Sequence, residues 1–292
     1  MSVGIVYVAT GETYRRECRI SAESVKVQMP NIPITVFSDA AIHSEHIDHN
    51  AIIPNPRGDG SHDVISCLGK SPYERTIYLD TDIYLDADIS EVFQMLDRFD
   101  LCLVMDPSHV RSRESPLGIV PDGVPEYNTG FIAYRQTKAV EDLLVGWLRL
   151  FEYHSDTIVD QPSFRTALYL STVEMLVLPP QYNCLYSHYP GYLYGRVKVF
   201  HGRLLETDGQ KGLTYRYDPA KGRSILNESC EARVYTHSRG LRIDTDNPTD
   251  VGRIRRLYYR TQRDGIVSTI RVVGEYLTTS TVGRLRTRLL RG

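Results

Sequence analysis

Asp80, Thr81 and Asp82 follow the apolar run TIYL, at the point where a strand gives out. Two carboxylates are costly to bury unpaired, and on extended backbone the side chains at i and i+2 point the same way. A divalent cation relieves their repulsion, so the pair is suited to hold one directly or through water. Hard oxygen donors select Mg²⁺ or Mn²⁺, which take their remaining ligands from water and substrate phosphates. In an open α/β sheet, ligands bind at the carboxyl ends of the strands, and this pair would stand there. A turn with two solvated acids is the plain alternative. Other polar residues also carry two readings. His43, His46 and His49 have metal-like spacing, but the surrounding IHSEHIDHN is polar and describes a solvated face. Asp160 stands just before Gln161 and Pro162, where it could cap a helix. His201 ends the apolar run VKVF and could be a core histidine.

These residues need a scaffold, and the chain alternates β-rich and helical patterns, the signature of βαβ units in an α/β, Rossmann-like fold. Strands are expected at 3–9, 34–39, 76–85, 101–106, 128–134, 173–179 and 197–200, the third interrupted by its acids. Helices are expected over 12–29, 88–96, 138–153 and 160–170, with 138–153 the clearest amphipathic pattern. Residues 54–63 read as a loop. Residues 107–126, with four prolines and two glycines, read as a long surface loop able to order over a ligand. Tyrosines 182, 186, 189, 192 and 194 fall in a further loop, where they would stack on acceptor sugars or close over a core.

A chain of 292 residues, 41% of them hydrophobic, is long enough to bury a full core without disulfides or structural metal. Its five cysteines are an odd number with no CxxC spacing, which argues against a disulfide scaffold or zinc ribbon and fits a reducing compartment. The N-terminal MSVGIVYVAT has no basic flank, and no apolar run approaches the ~18 residues of a membrane span, so a cytoplasmic location is expected. The net charge of −2 hides an asymmetry: residues 251–292 carry ten arginines against Asp264 and Glu275, giving +8 and leaving −10 for residues 1–250. The expected organisation is therefore a main domain over 1–250 and a basic tail over 251–292, helical by the spacing of Ile266, Ile270, Val273 and Leu277. An acidic body argues against nucleic acid as a partner. The tail suits peripheral contact with an anionic inner membrane face, or docking on the acidic body.

From residue 1 to about 205 the sequence resembles the GT-A-fold nucleotide-diphospho-sugar glycosyltransferases of the glycogenin and galactosyltransferase group. The resemblance rests on VYVATGETY, SPYERTIYLDTDIYLDADISEVF, EYNTGFIAY, DQPSF and VFHG, in that order. It implies a single GT-A domain, a nucleoside-diphosphate sugar as donor, and a glycan or glycolipid acceptor. Ala9, Thr10 and Tyr14 match the nucleotide-binding start, and Asp39 an acid facing the nucleoside. Asp80, Thr81 and Asp82 match the metal-binding DxD, and His201, followed by Gly202, the histidine that supplies a further ligand. Asn128, Thr129 and Gly130 match a strand start facing the sugar, and Asp160 with Gln161 the polar pair at the reaction centre. Lys70 matches a basic residue near the donor. The family's HxxGxxKPW is absent; here the text is HGRLLETDGQKG, which leaves the diphosphate lysine unassigned, with Arg203 and Lys211 as candidates.

The activity implied is metal-dependent sugar transfer, retaining if the chain follows the glycogenin group, with a function in polysaccharide biosynthesis. Two rivals share part of the pattern. A haloacid-dehalogenase-type phosphatase also carries an apolar strand ending in DxD, though normally near the N-terminus. A non-catalytic sugar-nucleotide-binding module would keep the fold with a degenerate site.

Overall fold

A computed structural model describes residues 2–58, 60–106, 116–153, 159–185, 191–193, 196–202, 204, 227, 232–237 and 240–245, with backbone alone for 191–193, 232–237 and 240–245. The expected basic tail lies outside the described residues. Two compact units divide the chain, Met1–Cys230 with Val234–Arg242, and Glu231–Arg233 with Ile243–Gly292.

The first unit opens with β1 (Val3–Ala9), α1 (Glu12–Gln28), β2 (Ile34–Ser38), β3 (His49–Ile52), α2 (Ser61–Leu68) and β4 (Arg75–Leu79). It continues with β5 (Ile83–Leu85), α3 (Glu91–Met95), β6 (Leu101–Met105), β7 (Tyr127–Arg135), α4 (Lys138–Tyr153), α5 (Gln161–Leu170) and β8 (Met175–Leu178). After a 3-10 turn at Pro180–Tyr182 come β9 (Gly191–Leu193) and β10 (Val199–His201); β11 (Ala232–His237) and β12 (Gly240–Thr245) each have residues in both units. Seven strands form one sheet in the order β3-β2-β1-β4-β7-β6-β8. Only β7 runs against the others.

Alternation along β1 shows how the sequence divides into layers. Ile5, Tyr7 and Ala9 belong to one core cluster with Cys18, Ala22 and Val25 of α1, while Val6 and Val8 belong to another with residues of α2, α4 and α5. Period-two side chains on a strand buried on both faces produce this split. In α4, Val140, Leu143, Leu144, Trp147 and Phe151 are buried, the 3-and-4 spacing of an apolar stripe. Trp147 meets Phe164 of α5 with ring centroids 4.6 Å apart and planes tilted by 54°, a favoured aromatic geometry.

Several expectations need adjusting. The expected strand 76–85 is two strands, β4 and β5, broken at the DxD itself, where Ile83 N–H donates to Asp80 O in a turn. The polar stretch around His49 is an edge strand, β3, with His49, Asn50 and Ile52 exposed; an edge needs no apolar face on its solvent side. Residues 61–63, read as loop, begin helix α2. The helix expected at 88–96 covers only Glu91–Met95, because the Asp88 carboxylate accepts from Ser90 N–H and holds a turn ahead of it. Cys18, Cys67, Cys102 and Cys184 are free and buried. No helix among the described residues is long and apolar enough to cross a membrane.

Candidate active site and metal centre

The sheet order reverses direction between β1 and β4, and these two parallel strands pair along Val3–Val6 and Arg75–Tyr78. Their carboxyl ends therefore lie side by side at a topological switch point, the place where α/β sheets bind ligands. Ala9 and Thr10 end β1, both buried, and Asp80 follows β4 directly. Beyond the DxD the chain turns into β5, which pairs antiparallel with β10, Ile83 opposite His201 and Phe200 opposite Tyr84. This small sheet carries a histidine from far along the chain back to the two aspartates. Gly202 N–H completes the join, donating to Asp82 O at 3.0 Å.

The result is a compact donor set. His201 Nε2 lies 3.2 Å from Asp82 Oδ1 and 3.6 Å from Asp80 Oδ2. One ligand atom from each of Asp80, Asp82 and His201 falls within 4.8 Å of the others. Two carboxylate oxygens and one imidazole nitrogen could hold a divalent cation. Gly130 makes room for them. A Cβ at that position would stand 2.3 Å from His201 Cε1 and 2.7 Å from Asp80 Oδ2, so a side chain there would fill the space the donors share. The Tyr78 hydroxyl donates to Asp80 Oδ1 at 2.5 Å. Tyr78 precedes Asp80 by two residues on the same strand face, so its role follows from strand periodicity.

His201 is held from its other side. Its Nδ1 is 2.9 Å from Asn183 Oδ1, Asn183 Nδ2 donates to Asn128 Oδ1 at 2.7 Å, and Gly130 N–H donates to the same oxygen at 3.0 Å. Burial disfavours charge on the imidazole, but the Asp82 and Asp80 carboxylates outweigh it and raise its pKa above the ordinary value.

Asp160 immediately precedes α5 yet makes no side-chain capping hydrogen bond. Its carboxylate instead accepts from Thr129 Oγ1 at 3.1 Å, while its carbonyl accepts from Trp147 Nε1 and Ser163 Oγ. Burial, and then the negative charge of Asp80, push this carboxyl up to about 7. Gln161 Nε2 donates to Asp106 Oδ2 at 2.7 Å and to Tyr127 O at 3.4 Å, so the strand ends of β6 and β7 fix its amide. Thr81 is buried between the two aspartates.

Not every expected residue joins this group. Asp39 ends β2 and accepts from Arg15 and from Gly11 N–H, and the Arg15 hydrogen bond holds its carboxyl below the usual range. Tyr14, in the first turn of α1, packs partly buried against the core. Lys70 stands apart. It precedes the start of β4, beside Leu68 and Ser71, which meet Tyr134 and Gln136 at the far end of β7. The DxD is at the other end of β4, so Lys70 is separated from it by the length of the strand. Tyr182 donates to Glu91 at 2.5 Å and closes a core edge; tyrosines 186, 189 and 194 lie outside the described residues, as do Arg203 and Lys211. Of the expected loop, residues 107–115 also lie outside them. Residues 116–126 are anchored by α5, whose buried Arg165 donates to Val124 O and Pro121 O, each at 2.8 Å.

Asn183 and Asp106 were not singled out in the sequence. Asp106 ends its strand in an acid, as Asp39 does, which is a visible signal. Asn183 depends on the parallel bridge between Cys184 and Phe200, which no local pattern announces.

Comparison with solved structures sets this arrangement beside glycosyltransferases. The chain matches an active-site mutant of LgtC with a TM-score of 0.53 at 16% identity, covering 73% of this chain and 91% of that one. It matches galactosyltransferase LgtC in complex with donor and acceptor sugar analogues with a TM-score of 0.52 at 15% identity, covering 75% of this chain and 99% of that one. The chain has the GT-A fold. The phosphatase alternative is not favoured by it. No protein-family model matches the chain, and no curated protein matches it.

Proposed function

We propose that this protein is a metal-dependent glycosyltransferase that moves a sugar from a nucleoside-diphosphate sugar to a hydroxyl of a glycan or glycolipid. The observation that carries the reading is the convergence of Asp80, Asp82 and His201, with Asp160 close enough to feel the Asp80 charge. Breaking the bond between sugar and phosphate leaves negative charge on the diphosphate and positive charge at the anomeric carbon. Mn²⁺ or Mg²⁺ held by Asp80, Asp82 and His201 would act as a Lewis acid on the departing diphosphate, worth several kcal/mol. By the resemblance, Ala9, Thr10 and Tyr14 would contact the nucleoside; Ala9 and Thr10 stand at the carboxyl end of β1, beside the switch point. Thr129 orients the Asp160 carboxylate, which would stabilise the oxocarbenium-like transition state from the opposite side. In a retaining transfer the departing diphosphate would take the proton of the acceptor hydroxyl, whereas an inverting one would need a carboxylate such as Asp160 as base. In line with the resemblance to the glycogenin group, we read the transfer as retaining.

The test is a panel of sugar nucleotides with Mn²⁺, following release of nucleoside diphosphate and the anomeric configuration of the product by proton NMR. Release with one donor and an anomer matching that donor upholds the reading. Inorganic phosphate as the product would favour a phosphatase, and tight binding without turnover a binding module. The main domain over 1–250 and the tail over 251–292 belong to the same proposal, with the tail as a peripheral contact to anionic lipid at the cytoplasmic face. Binding to phosphatidylserine vesicles that weakens with salt supports this; equal affinity for neutral vesicles contradicts it.

A further inference from the structure

We infer that Asn183 is a positioning residue that sets the tautomer of His201, through a relay that starts at the backbone of Gly130 and passes through Asn128. The inference rests on reading Asp80, Asp82 and His201 as the ligands of one ion. It is built from the one group in the chain of contacts whose polarity cannot change. The Gly130 N–H can only donate, so the side-chain atom 3.0 Å away on Asn128 must be its oxygen. The same oxygen lies 2.7 Å from Asn183, whose approaching atom must therefore be the amide nitrogen. That fixes the Asn183 oxygen on its other side, 2.9 Å from His201 Nδ1. An amide oxygen only accepts, so Nδ1 carries a proton. In a neutral imidazole the second nitrogen then has a free electron pair, and Nε2 is the atom directed at Asp82 Oδ1 and Asp80 Oδ2.

Each amide orientation in this relay is thus dictated by the previous one, and the last leaves His201 ready to ligate. The surroundings hold the relay in place. Asn183 is only 4% exposed, its own N–H donates to Pro180 O, and the next residue is pinned through both its backbone groups, with Cys184 N–H donating to Val199 O and His201 N–H to Cys184 O. The sequence resemblance placed Asn128 among residues facing the sugar. Here its amide oxygen is engaged inside the protein by two donors, so Asn128 acts through His201 as well.

Two measurements test this on the full chain. Long-range nitrogen-proton NMR of histidine-labelled protein without metal, in alkaline buffer where the ring is neutral, reads the tautomer of His201 directly. The expected result is a proton on Nδ1, and a proton on Nε2 in the unaltered chain overturns the inference. Mn²⁺ affinity, measured by paramagnetic resonance of the free ion, is expected to fall about 10- to 100-fold in Asn183→Leu, with loss of the Nδ1–H signature. Asn128→Asp keeps an acceptor for both Gly130 N–H and Asn183 and is expected to retain the signature and most of the affinity. An Asn183→Leu chain that folds and keeps both overturns the relay; should that variant not fold, the spectrum of the unaltered chain still decides. An unaltered chain that binds no Mn²⁺ defeats the metal reading instead, while a proton on Nδ1 would leave the relay standing.

Discussion

Gly130 is the position where the spacing of the site is tightest. Its absent side chain leaves room beside His201 and Asp80, and a Cβ at 2.3 Å from the ring would force one of them to move. Gly130→Ala is therefore expected to lower Mn²⁺ affinity by at least about tenfold while costing about 1–3 kcal/mol of stability, the usual range for overpacking. Metal titration and urea unfolding read the two effects separately, and an unchanged affinity would contradict the geometry. Asp160 gives a second prediction. Burial and the Asp80 charge raise its carboxyl to about 7, so the folded chain holds this proton more tightly than the unfolded chain does. The resulting stabilisation is complete below about pH 4 and is lost as pH climbs through about 7. Without divalent cation, Asp160→Asn is expected to be more stable than the unaltered chain at about pH 8, by on the order of 4 kcal/mol. Parallel melting profiles from acid to mildly alkaline pH would contradict it. At this scale part was legible: the aspartate pair is visible as a break in an apolar strand, while Tyr78, two residues back, was not singled out. Asn183 was not, because its partners come from β7 and β10.

Helix α5 joins the site to the loop beside it. Asp160 stands at its start, and Arg165, one turn further on, is buried with its guanidinium on two carbonyls of residues 121–124. Removing the guanidinium loses two hydrogen bonds from a charged donor and the packing of a buried side chain, a cost of about 1–3 kcal/mol. Arg165→Ala is expected to show that loss in urea unfolding and to open residues 116–126 to proteolysis. Unaltered cleavage would mean that the loop is held by something else. The elements that could be read from sequence share one property, a repeating apolar pattern long enough to count, as in β1 and α4. The others lack it. Helix α2 follows Gly60 at a φ of 75° without a side-chain cap, and β3 is a short polar edge, so neither carries a start signal or an apolar face. The break at Asp80 and Asp82 was legible because the apolar run stops there; that the residues beyond it form β5 and leave the main sheet to pair with β10 was not.

At the scale of the molecule, the sheet order matters more than any single residue. Placing β1 beside β4 sets Ala9 and Thr10 next to the DxD, and pairing β5 with β10 brings a histidine over a separation of more than a hundred residues. A fold can be shared at 15–16% identity because topology depends on the period and length of apolar segments, not on which apolar residue fills them. Bringing together Asp80, Asp82 and His201 depends on a handful of positions, which the resemblance singled out along with others, such as Lys70, that lie elsewhere. The most direct test measures nucleoside-diphosphate release from the accepted sugar nucleotide against Mn²⁺ concentration, in the unaltered chain and in Asp82→Ala. Saturable release that stops on chelation, returns with Mn²⁺ and falls at least about a hundredfold in the variant is the expected result. Equal release with and without the ion, or a variant as active as its parent, would contradict the account.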